Sequence, residues 1–282
     1  MSLFIPDSPH QPASLTRVTH LGIGAHHDDL EFMAYHGIVT CYDNPDLWFG
    51  GVTCTNGAGS SRIGPFADLT DEQMQEVRHQ EQDAAATTGQ YAAQYQLGHP
   101  SSVIKDPANP TLTNELLTIL QITKPEVVYT HNPADKHPSH LAVTAATIKA
   151  LRQLDPAVRP RQVLGCEVWR GLDWMADADK ILLDVSTNPD LSKTLGAHFA
   201  SQIVGGKRYD LAVRGRALAN ATFFDSHSVD AASHVWYAMD LTPLLHDPSL
   251  DPVQFTLAHI DKFKADVSQN LGPHFNSWGR NS

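Results

Sequence analysis

Six short runs of apolar, β-branched and small residues recur along this chain, with segments of helical period between most of them. That alternation leaves few folds open, because neighbouring parallel strands need crossovers of a dozen or more residues, usually helical. Strands are expected at about 17–24 (RVTHLGIG), 47–55 (LWFGGVTCT), 92–98 (AAQYQLG), 125–132 (PEVVYTHN), 161–169 (RQVLGCEVW) and 179–186 (DKILLDVS). Helices are expected at about 30–42, 70–89, 112–123 and 139–153. The second has a start and a stop of its own, since Thr70 and Gln73 have capping-box spacing and Gly89 follows. The last places Leu141, Ala145, Ile148 and Leu151 on one face. The pattern predicts an α/β, Rossmann-like fold with a mostly parallel sheet flanked by helices. It also predicts a single domain over 1–282: a Pro- and Ser-rich arm at 1–15, a core at about 16–187 and a less regular C-terminal elaboration at about 188–282. Ligands of such sheets bind beyond the carboxyl ends of the strands. That rule gathers the loops at 25–30, 56–68 and 131–140.

Two of these loops are crowded with titratable groups. The first is AHHDDLE, Ala25 to Glu31, and the second is DKHPSH, Asp135 to His140. Either alone is an ordinary surface turn or cap, and 16 histidines make chance spacings common. Both at strand ends of one sheet point to a site. His26, Asp29, His137 and His140 form a mixed nitrogen and oxygen set of the kind that holds catalytic zinc with positions left open. Fe(II) and Mn(II) suit the same donors. The net charge of −11, from 20 basic and 31 acidic side chains, argues against nucleic acid or an anionic membrane as partner. GIGAHH lacks the third glycine of GxGxxG and places acids where a pyrophosphate would sit, which disfavours a dehydrogenase.

GAHHDDLE, with Gly37 six residues on, resembles the AHPDDE or AHxDDxE signature of the PIG-L/LmbE-type zinc deacetylases, and HPSH resembles that family's HPDH motif. The resemblance covers roughly residues 16–170. EVWRGLDW and SQIVGGKRYD extend it, through a bacterial subgroup, over most of the chain. It implies hydrolysis of N-acetyl groups on amino sugars and their conjugates. It implies His26, Asp29 and His140 as metal ligands. Asp28 is then the general base toward the attacking water, and His137 the group that polarises the amide carbonyl or protonates the leaving amine. The chain departs from the pattern at His27, where the family has Pro or a small residue, and at Ser139, where it has Asp. His27 is open to a role beside the ligands, as an extra ligand or as a structural residue. Ser139 is able to cap the helix but leaves less negative charge beside the ligand His140, which weakens metal retention.

Other candidates line the expected substrate side. Arg78 fits either a substrate contact or brace, or a solvated Arg78–Glu81 pair. Asn56, Ser60, Ser61 and Arg62 follow the second strand, and Asp135 is placed to orient His137. Lys207, Arg208, Arg214 and Arg216 concentrate positive charge, either as a solvated or oligomer-contact stretch or as a site for a phosphate or uronate. Trp169, Trp174 and Tyr209 are candidates to stack on a sugar, while His227 and His234 receive no role. The rival readings are a metal-dependent phosphoesterase or other amidohydrolase, and a sugar- or nucleotide-binding module without turnover. Three scattered cysteines, no basic-then-apolar leader and no bilayer-length apolar run predict a cytoplasmic chain with no membrane partner. A homo-oligomer with 200–240 at the contact is expected.

Overall fold

The computed structural model describes residues 1–7, 13–204 and 206–275. Eight strands form one sheet: β1 (Ser2–Phe4), β2 (His20–Gly24), β3 (Phe49–Thr55), β4 (Ala93–His99), β5 (Val127–His131), β6 (Gln162–Cys166), β7 (Lys180–Asp184) and β8 (Val235–Asp240). Their order is β1-β4-β3-β2-β5-β6-β8-β7. β4, β3, β2, β5 and β6 are parallel neighbours, while β1 lies antiparallel on β4 and β8 antiparallel to both β6 and β7. The six expected strands are all present. β7, however, joins the sheet through β8 rather than pairing with β6.

The helices, in chain order, are α1 (Ala13–Thr16), α2 (Asp29–Met33), α3 (Tyr35–Cys41), α4 (Asp71–Thr88), α5 (Ser101–Ile104), α6 (Thr111–Thr123), α7 (Pro138–Arg152), α8 (Pro189–Ala197), α9 (Ala200–Ile203), α10 (Tyr209–Phe223), α11 (Thr242–His246) and α12 (Pro252–Phe275). The helix expected at 30–42 is two helices, divided at Ala34 (φ −103°, ψ 16°), and no proline marks that break in the sequence. The segment after 188, where the sequence periodicity is weak, is largely helical and supplies β8.

Alternate residues of the central strands serve opposite faces, as burial on both sides requires. Leu21, Ile23, Val52, Val128 and Val163 pack with Leu116 and Leu120 of α6 and Val143 and Leu151 of α7. Phe49, Val127, Tyr129 and Leu164 pack with Leu30, Ile38 and Leu195 on the other face. The small residues of β2 have a steric cause. A Cβ at Gly24 would stand 3.0 Å from Asp29 Cβ, because α2 crosses directly over the strand end. Likewise a Cβ at Gly37 would stand 2.6 Å from the Tyr129 ring, so α3 closes on β5 only without a side chain there.

The capping box at α4 is formed. Thr70 Oγ1 accepts the Gln73 N–H at 3.3 Å, and Gln73 Oε1 accepts the Thr70 N–H at 2.8 Å. Thr70→Ala is therefore expected to destabilise the fold by about 1 kcal/mol, read in a denaturant titration as a lower midpoint with unchanged slope. An unchanged midpoint would mean that water replaces the cap without loss.

α12 has 24 residues but buries one side chain, Thr256. No helix of the described residues is long and apolar enough to cross a membrane. Cys41, Cys54 and Cys166 are buried free thiols.

Candidate active site

In the parallel part of the sheet the chain moves outward in one direction from β2 to β3 and β4, and in the other from β5 to β6. The switch point is therefore between β2 and β5, where such sheets form their binding crevice. β2 runs into the turn that starts α2, and β5 into the loop that starts α7. Both histidine-rich motifs thus emerge at one place.

Asp29 is the first residue of α2, and His140 is in the first turn of α7. His26 Nδ1 lies 3.3 Å from Asp29 Oδ2, His140 Nε2 lies 3.4 Å from the same oxygen, and the two nitrogens are 3.2 Å apart. For ligand bonds of ~2.0–2.1 Å, the edge of a tetrahedron is roughly 3.3 Å. This donor triangle therefore fits three sites of a four-coordinate divalent cation and leaves the fourth open. Burial works to raise Asp29's carboxyl, but the imidazoles of His140, His131 and His26 hold it well below the usual carboxylate range.

His131, the last residue of β5, has no role in the sequence reading. Its Nε2 is 3.4 Å from Asp29 Oδ2, which makes Asp29, His131 and His140 a second geometric trio. That nitrogen, however, already accepts the Ala25 N–H at 2.9 Å. The ring stacks on His140 at 3.8 Å between centroids, 13° from parallel. His131 thus braces the ligand ring and pins the turn after β2. Its position at the end of a strand beside the switch point was the available signal.

Asp135 lies beneath the triangle. Its Oδ2 is 3.3 Å from His140 Nδ1 and accepts the Trp169 N–H at 3.2 Å, while Oδ1 accepts the His137 N–H at 3.0 Å. The carboxylate therefore orients His140 rather than the His137 ring, and being buried it is no substrate contact. His137 is the N-cap residue of α7, with Pro138 at the first helical position. Its ring meets His26 edge-on at 4.8 Å. Burial, with His26 and His140 adding to it, lowers its pKa to about 4, so the ring is neutral near pH 7. Ser139 does not cap this helix but lines the cavity.

Asp28 faces the cavity beside the triangle. Its backbone is left-handed (φ 89°, ψ −27°), a conformation costing a non-glycine residue ~1–3 kcal/mol and found preferentially at functional sites. Burial pushes its carboxyl up to about 6 against the pull of Arg78, whose Nη2 is 3.1 Å from Oδ2. Arg78 is a brace of the site and not part of a solvated pair, and it also lines the cavity. It is buried in α4 and also donates to the His27 carbonyl, to Glu81 at 3.1 Å and to Ser201 Oγ at 3.2 Å. It holds the turn that carries Asp28. His27 points away from the triangle, with Nε2 3.0 Å from Gln96 Oε1. Burial, with Arg78 beside it, keeps His27 neutral, and its ring is turned to Gln96 instead of the triangle, so it is a structural residue and not an extra ligand. Glu31 also leaves the site, accepting from Tyr91 Oη and Gln82 Nε2, both at 2.8 Å.

The site opens into a cavity of about 500 Å³ whose walls include Phe32, Trp169, Tyr209 and Trp236. Ser60, Ser61, Lys207 and Arg216 also line it. Lys207 Nζ is 5.1 Å from the centre of the Trp169 ring. Two expected contacts lie elsewhere. Arg62 folds back on the Ala58 carbonyl at 2.8 Å and on Asp71, and Arg208 is exposed and forked onto Asp210 at 2.8 and 3.0 Å. Each is consumed by a neighbour close in sequence. Asn56 closes its own turn by accepting the Ala58 N–H at 3.2 Å. Trp174 lines a separate groove.

No curated protein sequence matches the chain. Solved structures do. A conserved protein, TT1542, from Thermus thermophilus is 20% identical, covering 83% of this chain and 99% of that one with a TM-score of 0.62. GalB, the 4-carboxy-2-hydroxymuconate hydratase of Pseudomonas putida KT2440, is 15% identical over 79% and 96% with 0.62. The N,N′-diacetylchitobiose deacetylase of Pyrococcus horikoshii is 14% identical over 81% and 85% with 0.65. At these identities the likeness shows a common fold. Residues 21–151 match the family described as GlcNAc-PI de-N-acetylase. That segment carries both motifs and the donor triangle.

Proposed function

We propose that the protein is a metal-dependent N-deacetylase acting on an N-acetylated amino sugar or its conjugate. The observation that carries this reading is the triangle of His26, Asp29 and His140 with an unligated carboxylate, Asp28, beside it in the cavity. The fold alone does not choose the chemistry, since matched structures include a hydratase as well as a deacetylase. A divalent cation, zinc before Fe(II) or Mn(II), would supply a Lewis acid that brings the pKa of water toward ~7. Asp28 accepts the proton of the attacking water, since it is the carboxylate that faces the cavity beside the triangle and is held there by Arg78. The neutral His137 N–H donates to the amide oxygen as charge develops there. The C–N bond breaks as the amine nitrogen takes up the proton that Asp28 received from water, giving acetate and a free amine.

The cavity walls also suggest the substrate. Trp169 and Tyr209 offer aromatic surface to a sugar ring. Gln202 is buried, and its Nε2 has no acceptor. Lys207 forms no ion pair among the described residues and lies over the Trp169 ring, while Arg216 donates to the Val168 carbonyl and faces Glu167 at the same wall. Together they suit an anionic group, phosphate or carboxylate, on the substrate. The test has two readings. Bound metal is measured on the purified chain. Amine release is then followed with N-acetylglucosamine, its 1- and 6-phosphates and N-acetylmuramic acid. About one metal per chain and faster release from an anionic sugar are expected. Lys207→Met should lower the anionic-to-neutral ratio of kcat/KM about tenfold, the weight of one charge-assisted contact. Full metal with no amine released from any of them would overturn the reading.

A further inference from the structure

We propose that Glu81 is a positioning residue, which ties the cavity wall at α9 to Asp28 and keeps one oxygen of that carboxylate free. The inference rests on the reading of Asp28 as the base. Glu81 follows Arg78 by one turn of α4, and its side chain is 10% exposed. Its Oε1 accepts the Ser201 N–H and its Oε2 the Ser201 hydroxyl, both at 2.7 Å. Oε2 also accepts from Arg78 Nη1 at 3.1 Å, and Nη1 donates to Ser201 Oγ at 3.2 Å as well. The other end of the guanidinium, Nη2, is left to Asp28 Oδ2 at 3.1 Å and to the His27 carbonyl. Ser201, Glu81, Arg78 and Asp28 thus form one continuous line from α9 to the turn before α2.

Two features set this line apart from a plain ion pair. The first is the fork of the guanidinium. Arginine and a carboxylate frequently pair through two parallel bonds. Here Glu81 holds Nη1, the guanidinium is planar and rigid, and Asp28 is met through Oδ2. Oδ1 is left for the proton of water. Without the Glu81 charge, Nη1 is released to turn onto Asp28 and engage both of its oxygens. The second feature is α9 itself. With four residues, Ala200–Ile203, it is too short to stand alone, and Glu81 grips it by backbone and side chain together. The next residue, Gln202, lines the cavity, and its carbonyl accepts the Lys207 N–H at 3.1 Å. A substrate group held by Lys207 and Gln202 therefore restrains the same short helix that fixes Arg78. Binding at that wall and the geometry of the base are joined through Ser201 and Glu81.

The experiment follows kcat, KM and bound metal on the full chain with N-acetylglucosamine 6-phosphate, with near-UV circular dichroism to show that each variant folds. Glu81→Gln keeps the shape and one acceptor but not the charge. It should lower kcat about tenfold or more, the weight of a charge-assisted hydrogen bond, with KM within about twofold and metal at the wild-type level. Ser201→Ala leaves the Glu81–Arg78 pair in place and should lower kcat about fivefold in the same pattern. In the Asp28→Asn chain, Glu81→Gln should cost nothing further, because residues that act through one another are not additive. Should Glu81→Gln not fold, Ser201→Ala decides alone. Wild-type kcat in the folded variants overturns the proposal. So does a loss that lies in KM or in bound metal, or Glu81 and Asp28 losses that simply multiply. A wild-type chain that holds metal but releases no amine overturns the reading of Asp28 as base, and this inference with it.

Discussion

Asp28→Asn is expected to lower kcat by about 10²–10⁴-fold while bound metal stays at the wild-type level. The substitution isolates one property. Asn has the same shape and is among the few residues that accept a left-handed backbone, so the φ of 89° is no obstacle. Its amide oxygen can still accept from Arg78. What it lacks is the capacity to take a proton. Arg78 keeps Glu81 at 3.1 Å, so no buried guanidinium is left without a carboxylate. Metal content and kcat must be read on one preparation. A kcat within a few-fold of wild type would remove Asp28 from the role of base and pass the proton to another group.

His26→Ala is expected to weaken metal binding by more than about a hundredfold and take turnover with it, because it removes a ligand and not merely a ligand's support. The choice of His26 is deliberate. Asp29 and His140 belong both to the open triangle with His26 and to the buried trio with His131, whereas His26 belongs to the first and not the second, and it also groups with His137 and His140. The His26 side chain is about a quarter exposed, so its loss should leave the fold intact. Metal analysis after dialysis, with a thermal scan as control, checks both halves. Undiminished metal would assign the cation to Asp29, His131 and His140 and require that the Ala25 N–H give up its acceptor.

Much of this was legible in the chain itself, for identifiable reasons. Strand runs bounded by Pro and Gly located β2 to β6, and the capping box located the start of α4. The rule that ligands bind at strand carboxyl ends then brought two distant motifs together. Three kinds of information were not local. β8 escaped because it is an antiparallel return separated from its partner β7 by three helices, so no tight hairpin turn joins the two. Arg78 read equally well as a solvated helix residue, because its burial depends on Asp28, Ser201 and the His27 carbonyl, all far away in sequence. Asp135 and His137 are two residues apart, which suggested a direct contact. The start of α7 instead turns the His137 backbone toward Asp135 and sets His140 above it. His27 is explained by the turn between β2 and α2: the chain there sends His26 and Asp28 to the cavity and the residue between them toward β4.

Gly24 gives the donor triangle a dependence that no list of ligands contains. With a Cβ of its own it would press on the Cβ of Asp29 at 3.0 Å, and on Leu30 behind it at 3.2 Å. Asp29 Oδ2 is the corner shared by both 3.3–3.4 Å edges. Displacement by a few tenths of an ångström there is comparable with the tolerance of a metal–ligand bond. The tuning of the cation site is therefore set partly by an empty space, one position before the motif begins.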